Sequence, residues 1–341
     1  MRKLIGFIAI TVTALLVLTV GVSAERYLDE DFSANSTSVF SSVSDPSDTT
    51  GWSRTVSGGA FHFVNNTQNT MSQVIMCEET RLGEGTIMQF DLKIDEATAD
   101  GYLMFNLYRG GEGANGGRMS VTFRKDGVRA VPYGESSSIT FANSAPVLGT
   151  WYTYYFKTFS SDGNSKGDVY RKVTGSADLP VFIGTVNIDK AHKLDAQIQP
   201  YGAKGMDAWV DNIKIYNDTF VEETNLEMNG VPVTSLSDIT SGTLTATLNM
   251  VNSDVVTEIV DGVTKEKFSD AIPVMVAYNK YRMMVFGKIF SDAGIHMGEN
   301  SLELTVDTST FADKLEGGYV GFYLWDGIDC PQPLMDAVEF N

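Results

Sequence analysis

The chain is poor in positive charge for its length of 341 residues. Lysine and arginine together number 25, against 43 aspartate and glutamate residues, so the formal net charge at pH 7 is −18. Because proteins bind phosphate groups with clustered cations, this deficit argues against a nucleic-acid partner. An acidic polysaccharide is also a poor partner unless a local basic patch or bound cations intervene. The acidity itself is typical of a soluble exported protein.

Cysteine and histidine are scarce as well. The only cysteines are Cys77 and Cys330, and we expect two buried thiols rather than a bridge, although export would permit a disulfide. The three histidines, His62, His192 and His296, lack the spacing of metal ligands. The sequence therefore gives no indication of a zinc site.

Only one long hydrophobic run is present, over residues 4–22, and Arg2 and Lys3 precede it. The small residues at 22–24 complete the pattern of a secretory signal peptide (residues 1–24) that is cleaved after Ala24. An uncleaved membrane anchor is the alternative, because the run approaches spanning length. No second run follows, so we expect the mature protein to be secreted, extracellular or at the cell surface, and not held in the membrane.

The rest of the chain is rich in glycine, serine, threonine and aromatic residues, and its hydrophobic residues recur with period two. The segment 86–94 is the clearest example. Such alternation, broken by turn residues, predicts antiparallel strands that each bury one face. In the first part of the chain the predicted strands are 60–64, 86–94, 101–108, 118–124, 127–133, 151–159, 181–186, 193–199 and 208–216.

Three segments give this part a family resemblance. The chain opens with Asp29-Glu30-Asp31-Phe32, closes with Val210-Asp211-Asn212-Ile213-Lys214-Ile215-Tyr216, and has Gly149-Thr150-Trp151-Tyr152-Thr153 between them. This set resembles the concanavalin-A-like jelly rolls, a family that includes laminin-G-type domains and many carbohydrate-binding modules. The resemblance implies a jelly-roll sandwich over residues 25–219. We expect its first and last strands to pair, which protects a sheet edge.

A connector is predicted at 220–225, and a second domain at 226–341. Its predicted strands are 243–251, 272–278, 281–290, 301–306 and 319–325. Asn279-Lys280 predicts a tight hairpin, and the strand spacing predicts an immunoglobulin-like β-sandwich. The fold class is therefore all-β.

The C-terminal segment 320–334 reads V-G-F-Y-L-W-D-G-I-D-C-P-Q-P-L. It resembles the closing segment of small β-sandwich modules in clostridial-type, Gram-positive secreted surface proteins and glycan-degrading enzymes. The resemblance implies a setting at the cell surface, among polysaccharides.

The sequence lacks the common catalytic motifs. It also lacks the E-x-D-x-x-E strand of laminarinase-type jelly rolls, which sets two carboxylates close enough for a retaining mechanism. The nearest approximation, residues 95–100, reads as a solvated turn after a strand. We therefore expect a protein that is not an enzyme.

One strand suggests a binding surface for sugars. Tyr102, Asn106 and Tyr108 share its polar face, Arg109 follows, and Arg118 begins the next strand. Aromatic faces stack on sugar rings, and planar polar side chains bind hydroxyl groups. The alternative is a face that packs beneath a loop or is ordinary solvated sheet.

The tryptophans have different expected roles. Trp52 is predicted in an exposed loop, where it could contact a ligand, whereas Trp151 is expected in the core. Trp209 and Trp325 read as structural.

Four acidic residues suggest a structural calcium ion. Asp29, Glu30, Asp31 and Asp211 converge if the first and last strands pair, and carboxylate oxygens suit Ca²⁺. A solvated, metal-free edge is the alternative.

Taken together, the residues favour a secreted, non-catalytic carbohydrate-binding or adhesion protein that recognises extracellular polysaccharide. Two alternatives stay open. One is a structural surface or matrix protein that binds other proteins, and the other is a glycan-cleaving enzyme with an unfamiliar site.

Overall fold

The computed structural model describes residues 26–34, 42–44, 52–65, 73–75, 81–82, 85–98, 101–109, 118–131, 137–161, 164–187, 194–201, 205–216, 219–253, 256–260, 263–267, 270–326 and 338–340. The expected signal peptide, Cys77 and Cys330 lie outside these ranges. Among the described residues there is no helix with the length and apolar character needed to span a membrane.

The described elements are strands, apart from two short 3-10 helices at Leu236–Asp238 and Ala312–Lys314. In chain order the strands are β1 (Arg26–Glu30), β2 (Ser42–Ser44), β3 (Trp52–Ser57), β4 (Ala60–Asn65), β5 (Gln73–Ile75), β6 (Arg81–Leu82), β7 (Ile87–Ala97), β8 (Tyr102–Arg109), β9 (Arg118–Arg124), β10 (Gly127–Val131), β11 (Ile139–Thr140), β12 (Trp151–Ser161), β13 (Asn164–Val173), β14 (Val181–Asn187), β15 (Leu194–Tyr201), β16 (Met206–Tyr216), β17 (Phe220–Met228), β18 (Val231–Pro232), β19 (Thr243–Asn252), β20 (Val256–Val260), β21 (Val263–Lys267), β22 (Ala271–Tyr278), β23 (Met284–Ile289), β24 (Gly298–Asp307), β25 (Tyr319–Asp326) and β26 (Val338–Phe340).

Two large antiparallel sheets form the first sandwich. The first sheet has the order β20-β21-β14-β13-β12-β7-β16-β4-β3, and β1 also pairs with β16. The second sheet has the order β11-β10-β9-β8-β15-β5-β2, and β6 also pairs with β15. One hydrophobic core lies between the sheets, with aromatic side chains from both at its centre. This arrangement confirms the predicted all-β jelly-roll sandwich.

Strand alternation builds this core as the sequence predicts. On β7, Met88, Phe90, Leu92 and Ile94 are each at most 2% exposed and lie in the core. The intervening positions of β7 belong to the opposite face, which we call the outer face of the first sheet. Period two in the sequence therefore separates the core from the outer surface.

The predicted pairing of the first and last strands is also confirmed. Strand β1 runs antiparallel to the end of β16, with Leu28 opposite Ile215 and Glu30 opposite Ile213. The beginning of β16 pairs with β4 along the same edge. One long strand is thus flanked by two shorter ones, and neither half of its edge is left open.

Two four-stranded sheets form the second sandwich, in the orders β18-β17-β19-β24 and β23-β22-β25-β26. A separate hydrophobic core lies between them. A hairpin follows β22 as predicted, but the turn is not a tight one at Asn279-Lys280. Its loop spans residues 279–283, where the Asn279 N–H donates to the Met283 carbonyl at 3.0 Å, and β23 begins at Met284. The immunoglobulin-like classification and the domain limits stay predictions.

Two segments differ from the expected organisation. Residues 220–225, expected as a connector, form the first part of β17, because Phe220 to Met228 pair with β19. The hairpin of β20 and β21 joins the first sheet, where Lys265 lies opposite Val181 of β14. The second part of the chain therefore contributes two strands to the sheet of the first part.

A third apolar cluster joins the two sandwiches. Its buried members are Ile87, Tyr155, Tyr170, Tyr216, Val251 and Met297. Polar contacts surround it: Lys157 Nζ donates to the Ser253 carbonyl at 3.0 Å, and Lys214 forms an ion pair with Glu299. This junction covers one end of the outer face of the first sheet and leaves the other end open.

Candidate functional site

The predicted sugar-binding residues lie mainly on the second sheet. Strand β8 is central in it, between β9 and β15. The pairing partners of Tyr108, Asn106 and Met104 on β9 are Arg118, Ser120 and Thr122, and their partners on β15 are Asp195, Gln197 and Gln199. We call this set of positions, with Tyr102 and Arg124, the β8 face. It belongs to the side of the sheet opposite the core residues Leu103 and Phe105.

One end of the β8 face is defined by a cation–π contact. The Arg124 guanidinium carbon lies 4.3 Å from the centre of the Tyr102 ring, and both side chains are half-buried. Next to them, Met104 is 6% exposed and Thr122 8% exposed. Met104 and Thr122 are therefore covered, as expected if this part of the β8 face packs beneath other residues. The Tyr102–Arg124 pair, in contrast, reaches the surface.

The remaining predicted residues are only partly located. The side chains of Asn106, Tyr108, Arg109 and Arg118 lie outside the described part, but their backbone positions on β8 and β9 are adjacent. Arg109 is the last residue of β8, and by strand alternation its position belongs to the same side of the sheet as the core residues Leu103 and Phe105. Trp52 begins β3 in the first sheet and is not in a loop. It therefore does not join the β8 face, because the two positions belong to different sheets.

A second cluster, which the sequence did not predict, lies on the open end of the first sheet. One row of paired positions crosses four neighbouring strands: Trp151 on β12, Lys93 on β7, Trp209 on β16 and His62 on β4. We call this row the aromatic ladder. The expectation that Trp151 is a core residue was wrong, because its strand parity is opposite to that of the core residues Tyr152 and Tyr154.

The side chains of the ladder stack on one another. The rings of His62 and Trp209 are 3.7 Å apart and nearly parallel, with an angle of 9°. Lys93 Nζ lies 5.0 Å from the centre of the Trp209 ring and 5.6 Å from that of Trp151. Because His62 and Lys93 occupy the two sides of Trp209, this indole has no free face on which a sugar ring could stack. We therefore interpret the ladder as a row of stacked and cation–π contacts that stabilises the sheet.

Two carboxylates complete the ladder. Asp95 accepts hydrogen bonds from Trp209 Nε1 at 2.8 Å and forms an ion pair with Lys93 at 3.0 Å. Asp207 contacts His62 Nε2 at 2.8 Å. The expectation of a solvated turn at 95–100 was wrong at Asp95, because β7 continues to Ala97. Both carboxylates are held by partners within the ladder.

A buried carboxylate lies beside the ladder. Asp91 is 5% exposed and accepts hydrogen bonds from Thr153 Oγ1 at 2.6 Å and Asn212 Nδ2 at 2.7 Å. Asn212 adopts a positive φ of 48° at a bulge in β16, which brings its amide to the carboxylate. Burial raises the pKa of Asp91, and the hydrogen bonds from Thr153 and Asn212 partly oppose this rise. Its oxygens are bound to protein groups, so we assign it a structural role.

The raised pKa of Asp91 leads to a pH prediction for Asp91→Asn. The protonated form of Asp91 favours folding, so its contribution is fully present below the ordinary pKa of about 3.9 and is lost as the pH rises through the raised value. The variant lacks this loss. We expect its unfolding free energy to increase relative to wild type between acid and neutral pH, as measured by urea unfolding at several pH values. If the unfolding free energies of the two proteins changed with pH in the same way, the raised pKa of Asp91 would be contradicted.

A second acid, the half-buried Asp168 on β13, also has a raised pKa because of burial, opposed by a hydrogen bond from Thr185 Oγ1 at 2.5 Å. Asp91 and Asp168 lie on different strands, separated by β12. A glycoside hydrolase requires two carboxyl groups that face each other across the scissile bond. Asp91 and Asp168 do not form such a pair.

The predicted calcium ligands are adjacent in the backbone. Asp29 lies opposite Lys214, and Glu30 opposite Ile213, so β1 brings this segment alongside β16. Asp31 Oδ1 accepts the Ser33 N–H and Asp211 Oδ1 accepts the Asn212 N–H, both by short local hydrogen bonds. Within the described ranges, no group of three or more His, Cys, Asp or Glu side chains could hold a metal ion. The calcium site stays a prediction.

Alternation alone could have located the ladder in the sequence. Trp209 stands between the small and β-branched core residues Ala208 and Val210, and Trp151 directly precedes the inward Tyr152. By strand alternation, both tryptophans therefore lie on the side of the sheet that faces away from the core. What the sequence does not contain is the pairing register, which brings Lys93 between the two indoles.

Comparison with known proteins adds likeness in fold only. No family model and no curated protein sequence matches the chain. Among solved structures, a carbohydrate-binding module from Bacillus subtilis is 9% identical, with 52% of this chain and 96% of that chain covered and a TM-score of 0.34. A β-glucanase from Bacillus licheniformis is 11% identical over 57% of this chain and 99% of that chain, with a TM-score of 0.35. A seed lectin of Lotus tetragonolobus is 8% identical over 51% and 92%, with a TM-score of 0.34.

These structures include a binding module, a hydrolase and a lectin. At such low identities and TM-scores, the likeness does not separate binding from catalysis. The function must therefore be argued from the residues of this chain.

Proposed function

We propose that this protein is a secreted, non-catalytic carbohydrate-binding protein that recognises extracellular polysaccharide through the β8 face. The pairing register carries the proposal, because it aligns Asn106 and Tyr108 with polar partners on both neighbouring strands, while Tyr102 contacts Arg124 at the end of the same face. Tyrosines supply rings for stacking, and amide, hydroxyl and guanidinium groups supply hydrogen bonds to sugar hydroxyls. Three adjacent strands hold these positions, so the site needs little ordering on binding.

The composition of the β8 face supports a hydroxyl-rich ligand over an apolar partner. The positions on β15 add Asp195, Gln197 and Gln199, and those on β9 add Arg118 and Ser120. Burial of so many polar groups against an apolar surface would leave them without hydrogen bonds, which is costly. A sugar chain offers donors and acceptors along its whole length. This contrast favours glycan binding over the alternative of a structural protein–protein contact.

The acids on the outer face of the first sheet are bound by neighbouring protein groups, which favours binding over cleavage on that face. Asp95 and Asp207 are engaged in the aromatic ladder, and Asp91 is bound by hydroxyl and amide donors. A general acid needs a proton at neutral pH and a second carboxylate across the substrate. The secreted location follows from the expected signal peptide, and a calcium ion at Asp29, Glu30, Asp31 and Asp211 is a further part of this proposal.

The proposal predicts that Tyr102→Ala/Tyr108→Ala strongly weakens polysaccharide binding. The mature full chain is tested in pull-downs on insoluble cellulose, xylan, chitin and β-glucan, with calcium or with EDTA. We expect the double variant to bind the preferred polysaccharide about 30-fold more weakly or worse, because two central aromatic contacts are lost. Loss of wild-type binding in EDTA would support the calcium ion.

The matched control is Val147→Ala/Leu148→Ala, which removes two exposed apolar side chains (64% and 44% exposed) from a loop of the same sandwich. It should bind as wild type does. A folded wild-type chain that binds none of these polysaccharides, or that releases soluble sugars from them, would overturn the proposal.

A further inference from the structure

A second group of partly exposed aromatic side chains lies on the second sandwich, away from the β8 face. On β25, Val320, Phe322 and Leu324 face the core and are at most 2% exposed. The alternate residues Tyr319, Tyr323 and Trp325 lie on the other side of the sheet and are half-buried. We call these three residues and the neighbouring Tyr278 the β25 aromatic strip. From Tyr319 to Trp325 it extends about 20 Å along one strand.

A glycine makes room for one ring of the strip. A Cβ atom at Gly321 would come within 3.0 Å of Tyr323 Cε2 and 3.3 Å of its Oη. The Tyr323 ring therefore lies beside Gly321 and occupies space that a larger side chain there would need. Tyr323 is half-buried, so part of its side chain reaches the surface.

The other rings lie close to Tyr323 on the same side of the sheet. Tyr278 and Tyr319 are paired across β22 and β25, with ring centres 4.7 Å apart and an angle of 20°. The Tyr319 and Tyr323 hydroxyls share a hydrogen bond. Beneath the rings, Val274 and Val276 are 2% and 6% exposed although they lie on this outer side. The strip is thus a rigid surface with phenol hydroxyls at one end.

The charges at its margin select the ligand. Glu339 of β26 lies opposite Gly321. Burial raises the pKa of Tyr319 and Tyr323, and the negative charge of Glu339 adds to this rise. The positive charge of Arg282, in the hairpin after β22, acts in the opposite direction on the pKa of Tyr319. A carboxylate beside the rings, on a chain of net charge −18, repels an anionic ligand. An apolar protein partner would desolvate Glu339 and the phenols without offering them hydrogen bonds. An uncharged, hydroxyl-rich chain is not repelled by Glu339, and it can offer hydrogen bonds to Glu339 and to the phenols.

We propose that the β25 aromatic strip is a second carbohydrate-binding surface, which takes a neutral, linear glycan with its sugar rings stacked on Tyr323 and Trp325. This inference goes beyond the β8 face and does not depend on it. Two binding surfaces on one chain raise the apparent affinity for a polymer, because the second contact becomes intramolecular.

The test compares four full-length mature proteins on the same insoluble neutral polysaccharides. They are the wild type, Tyr102→Ala/Tyr108→Ala, Tyr323→Ala/Trp325→Ala, and the combination of all four substitutions. We expect Tyr323→Ala/Trp325→Ala to weaken apparent affinity about 10-fold or more, and the combination to remove the binding that remains in Tyr102→Ala/Tyr108→Ala.

Two single variants keep the test independent of folding. Tyr323→Phe retains the ring and should bind nearly as the wild type does. Gly321→Val should displace the Tyr323 ring and weaken binding, although it leaves every aromatic residue in the chain. Thermal unfolding identifies any variant that has lost its fold. Among folded variants, tighter polysaccharide binding by Tyr323→Phe than by Gly321→Val supports the strip, and equal binding contradicts it.

The outcomes separate the two proposals. Binding by Tyr323→Ala/Trp325→Ala equal to wild type, with all loss due to Tyr102→Ala/Tyr108→Ala, would overturn the strip and leave the β8 face standing. The reverse pattern would overturn the β8 face and support the strip. If the strip variants alter only self-association in sedimentation experiments, the strip is a protein contact and the inference is wrong.

Discussion

Phe90→Ala should lower the free energy of unfolding by about 3–5 kcal/mol, the range found when a large aromatic side chain is removed from a packed core. Phe90 is 2% exposed on β7, at the centre of the first sandwich. Its ring lies 5.8 Å from that of Phe105, 5.6 Å from that of Phe123 and 5.8 Å from that of Tyr154. Since these rings come from both sheets, the cavity would open where the sheets meet.

Urea unfolding monitored by tryptophan fluorescence measures this loss. Ile139→Ala is the control, because Ile139 is 51% exposed on the short strand β11. Its effect should stay within about 0.5 kcal/mol, as is usual for surface positions. A loss below about 1 kcal/mol for Phe90→Ala would mean that the two sheets do not share one aromatic core.

Gly298→Val should disrupt the junction between the two sandwiches. Gly298 has φ of 85°, a backbone conformation that residues with a side chain rarely adopt. A Cβ atom there would lie 2.8 Å from Tyr155 Cε1 and 3.1 Å from Gln89 Oε1. Tyr155 is only 2% exposed, so it has no room to withdraw. Backbone strain and overpacking together should cost about 2 kcal/mol or more.

The readouts for Gly298→Val are the unfolding free energy and the number of unfolding transitions in calorimetry. We expect a lower midpoint and a separation of the transitions of the two cores. Gly287→Val is the matched control, since a Cβ atom there meets nothing closer than Met284 Sδ at 3.5 Å. Equal effects of the two substitutions would show that the junction is not tightly packed at Gly298.

Alternation in the sequence was sufficient to predict most of the strands and their buried faces. The inward residues of β7, such as Phe90 and Leu92, are those that the pattern selects. The pairing of β1 with β16 also followed from the sequence, through the family resemblance. These features depend on local periodicity and on the need to close a sheet edge.

The features that the sequence missed depend on long-range contacts or on weak patterns. Strand β13 reads Asn164-Ser165-Lys166-Gly167-Asp168 at its start, and pairing with β12 and β14 makes this polar segment a strand. The hairpin of β20 and β21 is too polar and exposed to show which sheet it joins. Trp151 and Lys93 meet because of register between distant strands, and local sequence does not encode that register.

Binding of polysaccharide on the β8 face can be located by hydroxyl-radical footprinting of the full chain, with and without a saturating soluble fragment of the polysaccharide that it retains. Tyrosine and tryptophan side chains report their own solvent exposure in this experiment. We expect protection of Tyr102 and Tyr108 and unchanged modification of Trp151 and Trp209. Protection of the two ladder tryptophans, with Tyr102 and Tyr108 modified as in the free protein, would contradict binding on the β8 face.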